Sequence, residues 1–254
     1  MRIQYVHCNA GEHFLRGLIA KYGLSKFKKI DEPCMWFGCY GEAQIETLLN
    51  HQSTAVMVWS GTDATVAVNN PKIVEKLKNA PHIQFIAISK FIADDMEKAG
   101  LPYKRIPILP YSNDDISPAP LGDSIYIYKA QHNTYGKPLN DKVKALMPDI
   151  NFIECDFNTH KRSELIKIYR KCFLGLRFIR HDGLSNTVCE LGLIGRKVIW
   201  NGDTPNAIPY DIDDIEDIVN KIRVEYENRK STDYNSVSLQ MKKFLDIGDS
   251  FLNI

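Results

Sequence analysis

Neither sign of charge dominates this sequence: 32 Lys and Arg stand against 31 Asp and Glu, a formal net charge of +1. That balance argues against a surface dedicated to nucleic acid, though it leaves room for a local basic groove. The six cysteines (Cys8, Cys34, Cys39, Cys155, Cys172 and Cys189) form no C-x-x-C pair and have no His beside them at zinc-ligand spacing. A structural zinc is therefore not expected. Most of them lie in apolar runs such as Met35-Trp36-Phe37, as buried, reduced thiols do. No apolar run approaches the length of a membrane span, and Met1–Val6 reads as a first strand and not as a signal peptide. These absences point to a soluble, cytoplasmic protein. Internal repeats and low-complexity tracts are also missing, and so is a G-x-G-x-x-G fingerprint, which disfavours ordinary NAD binding.

What is present is alternation. The 254 residues are 44% hydrophobic and 25% charged, enough for one large or two compact globular domains. Short β-rich runs are expected at Arg2–His7, Cys34–Cys39, Ala55–Trp59, Gln84–Ile88, Arg105–Leu109, Ser124–Tyr128, Asn151–Glu154, Leu174–Ile179 and Lys197–Trp200. Between them fall helical patterns at Glu42–Leu49, Lys72–Lys78, Lys90–Ala99, Asp141–Leu146 and Arg162–Lys171. Apolar strands alternating with helices of this length predict an α/β fold of βαβ units with parallel sheets covered on both faces. The turn-rich, aperiodic stretch Pro110–Pro120 divides the chain. Two small Rossmann-like domains, over 1–115 and 116–235, are the expected architecture. Two helices close the chain, one carrying Ile212, Ile215, Val219, Ile222 and Tyr226 at helical spacing, the other Val237, Met241, Phe244 and Leu245.

The stretch from Leu174 to Asn201 reads as strand, loop, helix, turn and strand, with the loop His181-Asp182-Gly183-Leu184-Ser185-Asn186 feeding a helix that ends near Gly195. A helix N-terminus offers unpaired N–H groups and partial positive charge to an anion. Gly183 permits close backbone approach, and Ser185, Asn186 and Thr187 add polar groups in the first turn. Glu190, four residues after Asn186, shares its helix face. A carboxylate there suits ribose hydroxyls while a pyrophosphate sits at the helix end.

Asp182 and Glu190 stand eight positions apart, and Leu191-Gly192-Leu193-Ile194-Gly195 follows. In this the chain resembles the retaining GT-B glycosyltransferases, whose C-terminal domain carries a Glu-x7-Glu pair followed by small and apolar residues and a Gly; Asp182 stands where the family has its first Glu. The resemblance implies two Rossmann-like domains with a cleft between them, and a last helix, over 236–254, crossing back onto the N-terminal domain. It implies that Glu190 holds the donor ribose and that Asp182 lies near the sugar hydroxyls. It also implies basic groups for the diphosphate, for which Lys129, Lys137 (within Tyr135-Gly136-Lys137-Pro138) and, as alternatives, Arg177 and Arg180 are candidates.

In the first half, Phe37-Gly38-Cys39-Tyr40-Gly41 and Trp59-Ser60-Gly61-Thr62-Asp63 put glycine and polar groups at the carboxyl ends of strands, where open α/β sheets bind ligands. The latter segment resembles the Gly-Ser/Thr-Asp element of some GT-B acceptor domains. Asp63 is a candidate for positioning an attacking hydroxyl, or equally a cap for the helix that follows. Gly11, in the loop Asn9-Ala10-Gly11, is a candidate to approach the donor phosphates. The expected activity is metal-independent sugar transfer, with retention, from a UDP- or GDP-sugar to a hydroxyl on a glycan, lipid-linked sugar, protein or modified DNA base. No cofactor is expected beyond the nucleotide sugar. Rival readings are a DNA-modifying glycosyltransferase, a sugar-nucleotide epimerase (for which Asp63, His181 and Asp182 are acid/base candidates), and a non-catalytic nucleotide-sugar-binding subunit.

Overall fold

A computed structural model describes residues 2–129, 136–156 and 160–253. The chain divides into two compact units: residues 1–112 with 182–184 and 245–254, and residues 113–181 with 185–244.

The first unit is built on six parallel strands in the order β2-β1-β3-β4-β5-β6. They are β1 (Tyr5–Cys8), β2 (Ser25–Lys26), β3 (Cys34–Phe37), β4 (Ala55–Trp59), β5 (Ile83–Ala87) and β6 (Lys104–Arg105). Every residue of β3 and β4 is buried, as expected of central strands covered on both faces. Helices α1 (Glu12–Tyr22), α2 (Glu42–Leu49), α3 (Thr62–Val68), α4 (Pro71–Lys78) and α5 (Lys90–Ala99) fill the connections. Local chemistry sets several of their ends: Asn70 caps α4 with Pro71 in its first turn, and Ser89 caps α5.

The second unit has five parallel strands in the order β11-β10-β9-β7-β8. These are β7 (Ser124–Lys129), β8 (Asn151–Asp156), β9 (Cys172–Leu176), β10 (Lys197–Ile199) and β11 (Ala207–Ile208), joined through α6 (Lys137–Leu146), α7 (Arg162–Tyr169), α8 (Asn186–Ile194), α9 (Ile215–Asn228) and α10 (Tyr234–Leu245). Its core packs Ile125, Ile127, Leu174 and Leu176 of the sheet against Val143 of α6 and Ile218 and Ile222 of α9. Among the described residues no helix is long and apolar enough to cross a membrane.

Several expected boundaries move. The run Arg105–Leu109 pairs only over Lys104–Arg105, because Pro107 and Pro110 bring no N–H to a ladder. The first strand starts at Tyr5; Arg2 instead bridges Asn253, and the Ile3 N–H donates to the Leu252 carbonyl at 2.8 Å. The closing helix expected over 236–254 is corrected as well. Helix α10 ends at Leu245, and the backbone turns at Gly248 (φ 59°) before a 3-10 turn over Ser250–Leu252. The buried face of α10 lies in the second unit: the Ser238 hydroxyl donates to the Leu193 carbonyl at 2.6 Å, and Met241 packs where Gly192 leaves no side chain. Only the tail 245–254 joins the first unit.

One side chain ties two helices, a strand and a loop of the second unit together. Arg196 is fully buried, and its guanidinium is satisfied by backbone carbonyls. Its Nε donates to the carbonyls of Tyr169 (3.1 Å) and Cys172 (3.0 Å), and its terminal nitrogens to those of Ala119 (2.6 Å), Ile194 (2.7 Å), Pro120 (2.6 Å) and Arg170 (3.0 Å). Tyr169 and Ile194 are the last residues of α7 and α8, whose terminal carbonyls have no partner within the helix and carry partial negative charge. A cation there satisfies and neutralises both helix ends. Burial pulls the guanidinium down to about 10, still charged at neutral pH. Replacing Arg196 with Met should destabilise the protein by about 3 kcal/mol or more, because buried carbonyls lose their donors. Arg196→Lys should recover only part of that, since an ammonium cannot reproduce the planar five-donor fork. Urea midpoints of the three proteins measure it.

Candidate functional site

In an open parallel sheet, ligands bind beyond the carboxyl ends of the strands where the strand order reverses. In the second unit the order reverses between β7 and β9. The segment after β9 leads into α8, so the N-terminus of α8 starts from that edge. Ser185 caps it, its Oγ accepting from Val188 N–H at 3.4 Å, and the first helical bond runs from Cys189 N–H to the Ser185 carbonyl. Asn186 and Thr187 are half-buried in the first turn, ahead of that ladder, where helix N–H groups lack intrahelical acceptors.

Glu190 follows one turn later, on a helix whose residues from Val188 to Ile194 are all buried. It is only 4% exposed. A buried carboxylate needs a partner, and it has Arg162, the first residue of α7, whose Nε lies 2.7 Å from Glu190 Oε1. The Tyr169 side chain also bears on Glu190 and favours its charged form, and Tyr169 contacts Tyr126 edge-on at 4.8 Å between ring centres. Burial pushes the Glu190 carboxyl up, and Arg162 and Tyr169 pull it back.

The basic candidates lie outside this network. Lys129, at the end of β7, stands 3.9 Å from Glu154; Lys137 opens α6 and reaches Asp141 at 2.6 Å; Arg180 reaches Asp213 at 3.5 Å. All three side chains are about half exposed or more, so these pairs are weak and exchangeable. Tyr135, quoted with Lys137, lies outside the described residues. Arg177 is buried, with its N–H on the Ile199 carbonyl.

In the first unit the order reverses between β1 and β3. Gly11 is the N-cap of α1 at φ 126°, and Asn9 beside it donates to the Gly38 carbonyl at 2.8 Å. Asp63 is entirely buried. Its carboxylate accepts from Gly61 N–H (2.6 Å), Ser60 N–H (3.1 Å) and Cys39 N–H (3.3 Å), tying the loop after β4 to the loop after β3. The expectation that Asp63 positions an attacking hydroxyl is therefore corrected: backbone donors occupy its oxygens and no surface is left for a substrate. The side chain that faces outward here is Tyr40, 39% exposed, its hydroxyl 2.8 Å from Ser60 Oγ.

Asp182 and Gly183 belong to this first unit, and Glu190 belongs to the second. The Ser89 hydroxyl donates to the Asp182 carbonyl at 2.8 Å, and a Cβ on Gly183 would overlap the Ser60 carbonyl oxygen. Gly183 is thus required by packing against Ser60, a different cause from the approach to phosphate expected of it. Among the described residues, no three His, Cys, Asp or Glu side chains are grouped to hold a metal ion.

No protein-family model and no curated protein matches this sequence. Solved structures do. The chain is similar to the pneumococcal O-GlcNAc transferase GtfA (TM-score 0.54, 15% identity, covering 84% of this chain and 54% of that one). It is similar to OtsA (0.59, 10% identity, 89% and 74%) and to sucrose-phosphate synthase from Thermosynechococcus elongatus (0.57, 11% identity, 90% and 74%). All three are GT-B glycosyltransferases. The chain has the GT-B fold. It spans about half the length of GtfA and of TarM, another structure it matches, and identities this low speak for the fold alone.

Within the GT-B fold, the second unit brings Ser185, Asn186, Thr187 and Glu190 onto one helix, while Asp63, Asp182, Gly183 and Gly11 belong to the first. Sequence reasoning missed Arg162, Tyr169 and Arg196 as site or scaffold residues. Apart from Ile194, the Arg196 partners lie between 24 and 77 positions away, and Arg162 lies 28 from Glu190, beyond any local pattern. Asp63→Ala should lower stability by about 2 kcal/mol or more by orphaning buried N–H groups, and Asp63→Asn by less, since the amide keeps one acceptor. Denaturant unfolding at neutral pH would measure both.

Proposed function

We propose that the chain is a glycosyltransferase that moves a sugar from a nucleotide sugar, UDP- or GDP-linked, to a hydroxyl acceptor, with retention and without a divalent metal. The observation that carries this reading is Glu190: a buried, charge-paired carboxylate one turn inside the helix that starts at the sheet's reversal point. Such a carboxylate accepts hydrogen bonds from ribose hydroxyls while the diphosphate lies at the helix N-terminus. Residues Ser185–Thr187 supply that terminus. Lys129, Lys137 and Arg180 exchange a weak surface partner for phosphate at little cost. When the glycosidic bond to the diphosphate breaks, these dipoles and cations stabilise the charge developing on the leaving oxygen. A structure of GtfA contains UDP and GlcNAc, and one of TarM contains UDP; both support this donor class.

A second reading, a nucleotide-sugar-binding subunit with no transfer of its own, is favoured by the burial of Asp63, which removes the acceptor-side carboxylate expected to act on a hydroxyl.

Thermal unfolding and calorimetric titration with UDP, GDP, ADP and CMP test the donor site. One nucleotide at 100-fold over its Kd should stabilise the protein by about 2.7 kcal/mol. Glu190→Gln should weaken that nucleotide about tenfold or more, and its 2′-deoxy form should bind wild type comparably weakly, because each loses a hydrogen bond to a charged group. Binding of none of the four would remove the proposal. Given a nucleotide, release of its diphosphate from the sugar donor, persisting in EDTA and yielding a product of unchanged anomeric configuration, separates the transferase from the binding subunit.

A further inference from the structure

Burying Glu190 places a charge where little water solvates it, and Arg162 is the cation that answers it. The guanidinium is itself held from another side. One terminal nitrogen lies 3.0 and 2.9 Å from the two oxygens of Asp115, and the other 2.9 Å from Asn113 Oδ1. All four residues belong to the second unit. Arg162 thus has its Nε on Glu190 and its far edge on the first residues of that unit. A planar fork bound at both edges has one orientation, which a single-point ammonium would not.

We propose that Arg162 is a positioning residue for nucleotide binding: braced by Asn113 and Asp115, it holds the Glu190 carboxylate charged and fixed in the orientation that accepts ribose hydroxyls. The inference rests on the donor-site reading above. The groups that bear on Glu190 are Arg162 and Tyr169 from α7, Asp115 from the segment before β7, and Tyr126 from β7. Burial and Asp115 favour its protonated form; Arg162 and the Tyr169 side chain favour the charged one. Without Arg162 the carboxyl takes up its proton at higher pH than in the wild type. A protonated carboxyl turns one oxygen into a donor, so it accepts ribose hydroxyls less well.

The test is the affinity of the full chain for UDP and GDP, by calorimetry from about pH 6 to about pH 9, on the alkaline side of the ordinary carboxylate range. Wild type should bind one of them with a nearly flat profile. Arg162→Met should weaken it about tenfold or more at neutral pH, with affinity recovering as the pH rises. Arg162→Lys, which keeps the charge and guards against misfolding as the explanation, should bind more weakly than wild type but keep the flat profile. The double variant Arg162→Met with Glu190→Gln should bind no worse than Glu190→Gln alone, because Arg162 acts only through Glu190. Arg162→Met binding as tightly as wild type, or weakened equally at every pH, would overturn this inference and leave the donor site standing. Wild type binding neither nucleotide would overturn both.

Discussion

The second unit depends on one buried cation held by carbonyl oxygens. Arg196 collects the ends of α7 and α8, the start of β9 and the segment at Ala119–Pro120 through a single side chain. Two helix C-termini converge on it, and their dipoles supply the negative potential that a carboxylate would otherwise provide. The same contact therefore fixes where α8 ends. Because a helix is stiff, it also helps to fix where Ser185 and Glu190 stand at the other end. Gly195 serves that geometry: its φ of 97° lets the chain leave α8, and the Tyr234 carbonyl packs where a Cβ would sit.

Two further buried charges follow a related logic. Asp63 is the inverse of Arg196, an anion satisfied by backbone N–H groups, and it joins two loops of the first unit as Arg196 joins helices of the second. Backbone dipoles in each case stabilise the charge without adding a second ion. Glu190 differs, because its main partner is another side chain, Arg162. Pairing by side chains leaves a charge that substitution, pH or a ligand can redistribute, which suits a binding residue. Saturation by backbone suits a scaffold.

The outer cations form a third class. Lys129, Lys137 and Arg180 each meet a surface carboxylate within reach of water. Their ion pairs contribute little to stability and are released readily. Buried charges thus hold the framework, and exposed ones add little to it.

By itself the sequence determined most element types (the helices Glu12–Tyr22 and Thr62–Val68 excepted), the parallel α/β class and the helix from Asn186 to Ile194, because hydrophobic period, glycine and capping residues act within a few positions. Ala55–Trp59, Glu42–Leu49 and Lys90–Ala99 run between the expected residues for that reason. The two-residue edge strands β2 and β11 carry too little pattern to be seen. Tertiary structure alone decided which face each functional side chain meets. Asp63 and Asp182 look alike in a string of residues, yet one is walled off by N–H groups and the other sits in a loop whose glycine packs on Ser60. The apolar stripe of α10 did not say which unit would cover it; packing set it in the second, with Met241 against the space that Gly192 leaves. The place of Glu190 in its helix was legible, but its pairing with Arg162 was not: the two lie 28 positions apart on different helices, and only packing brings a guanidinium to that buried carboxylate.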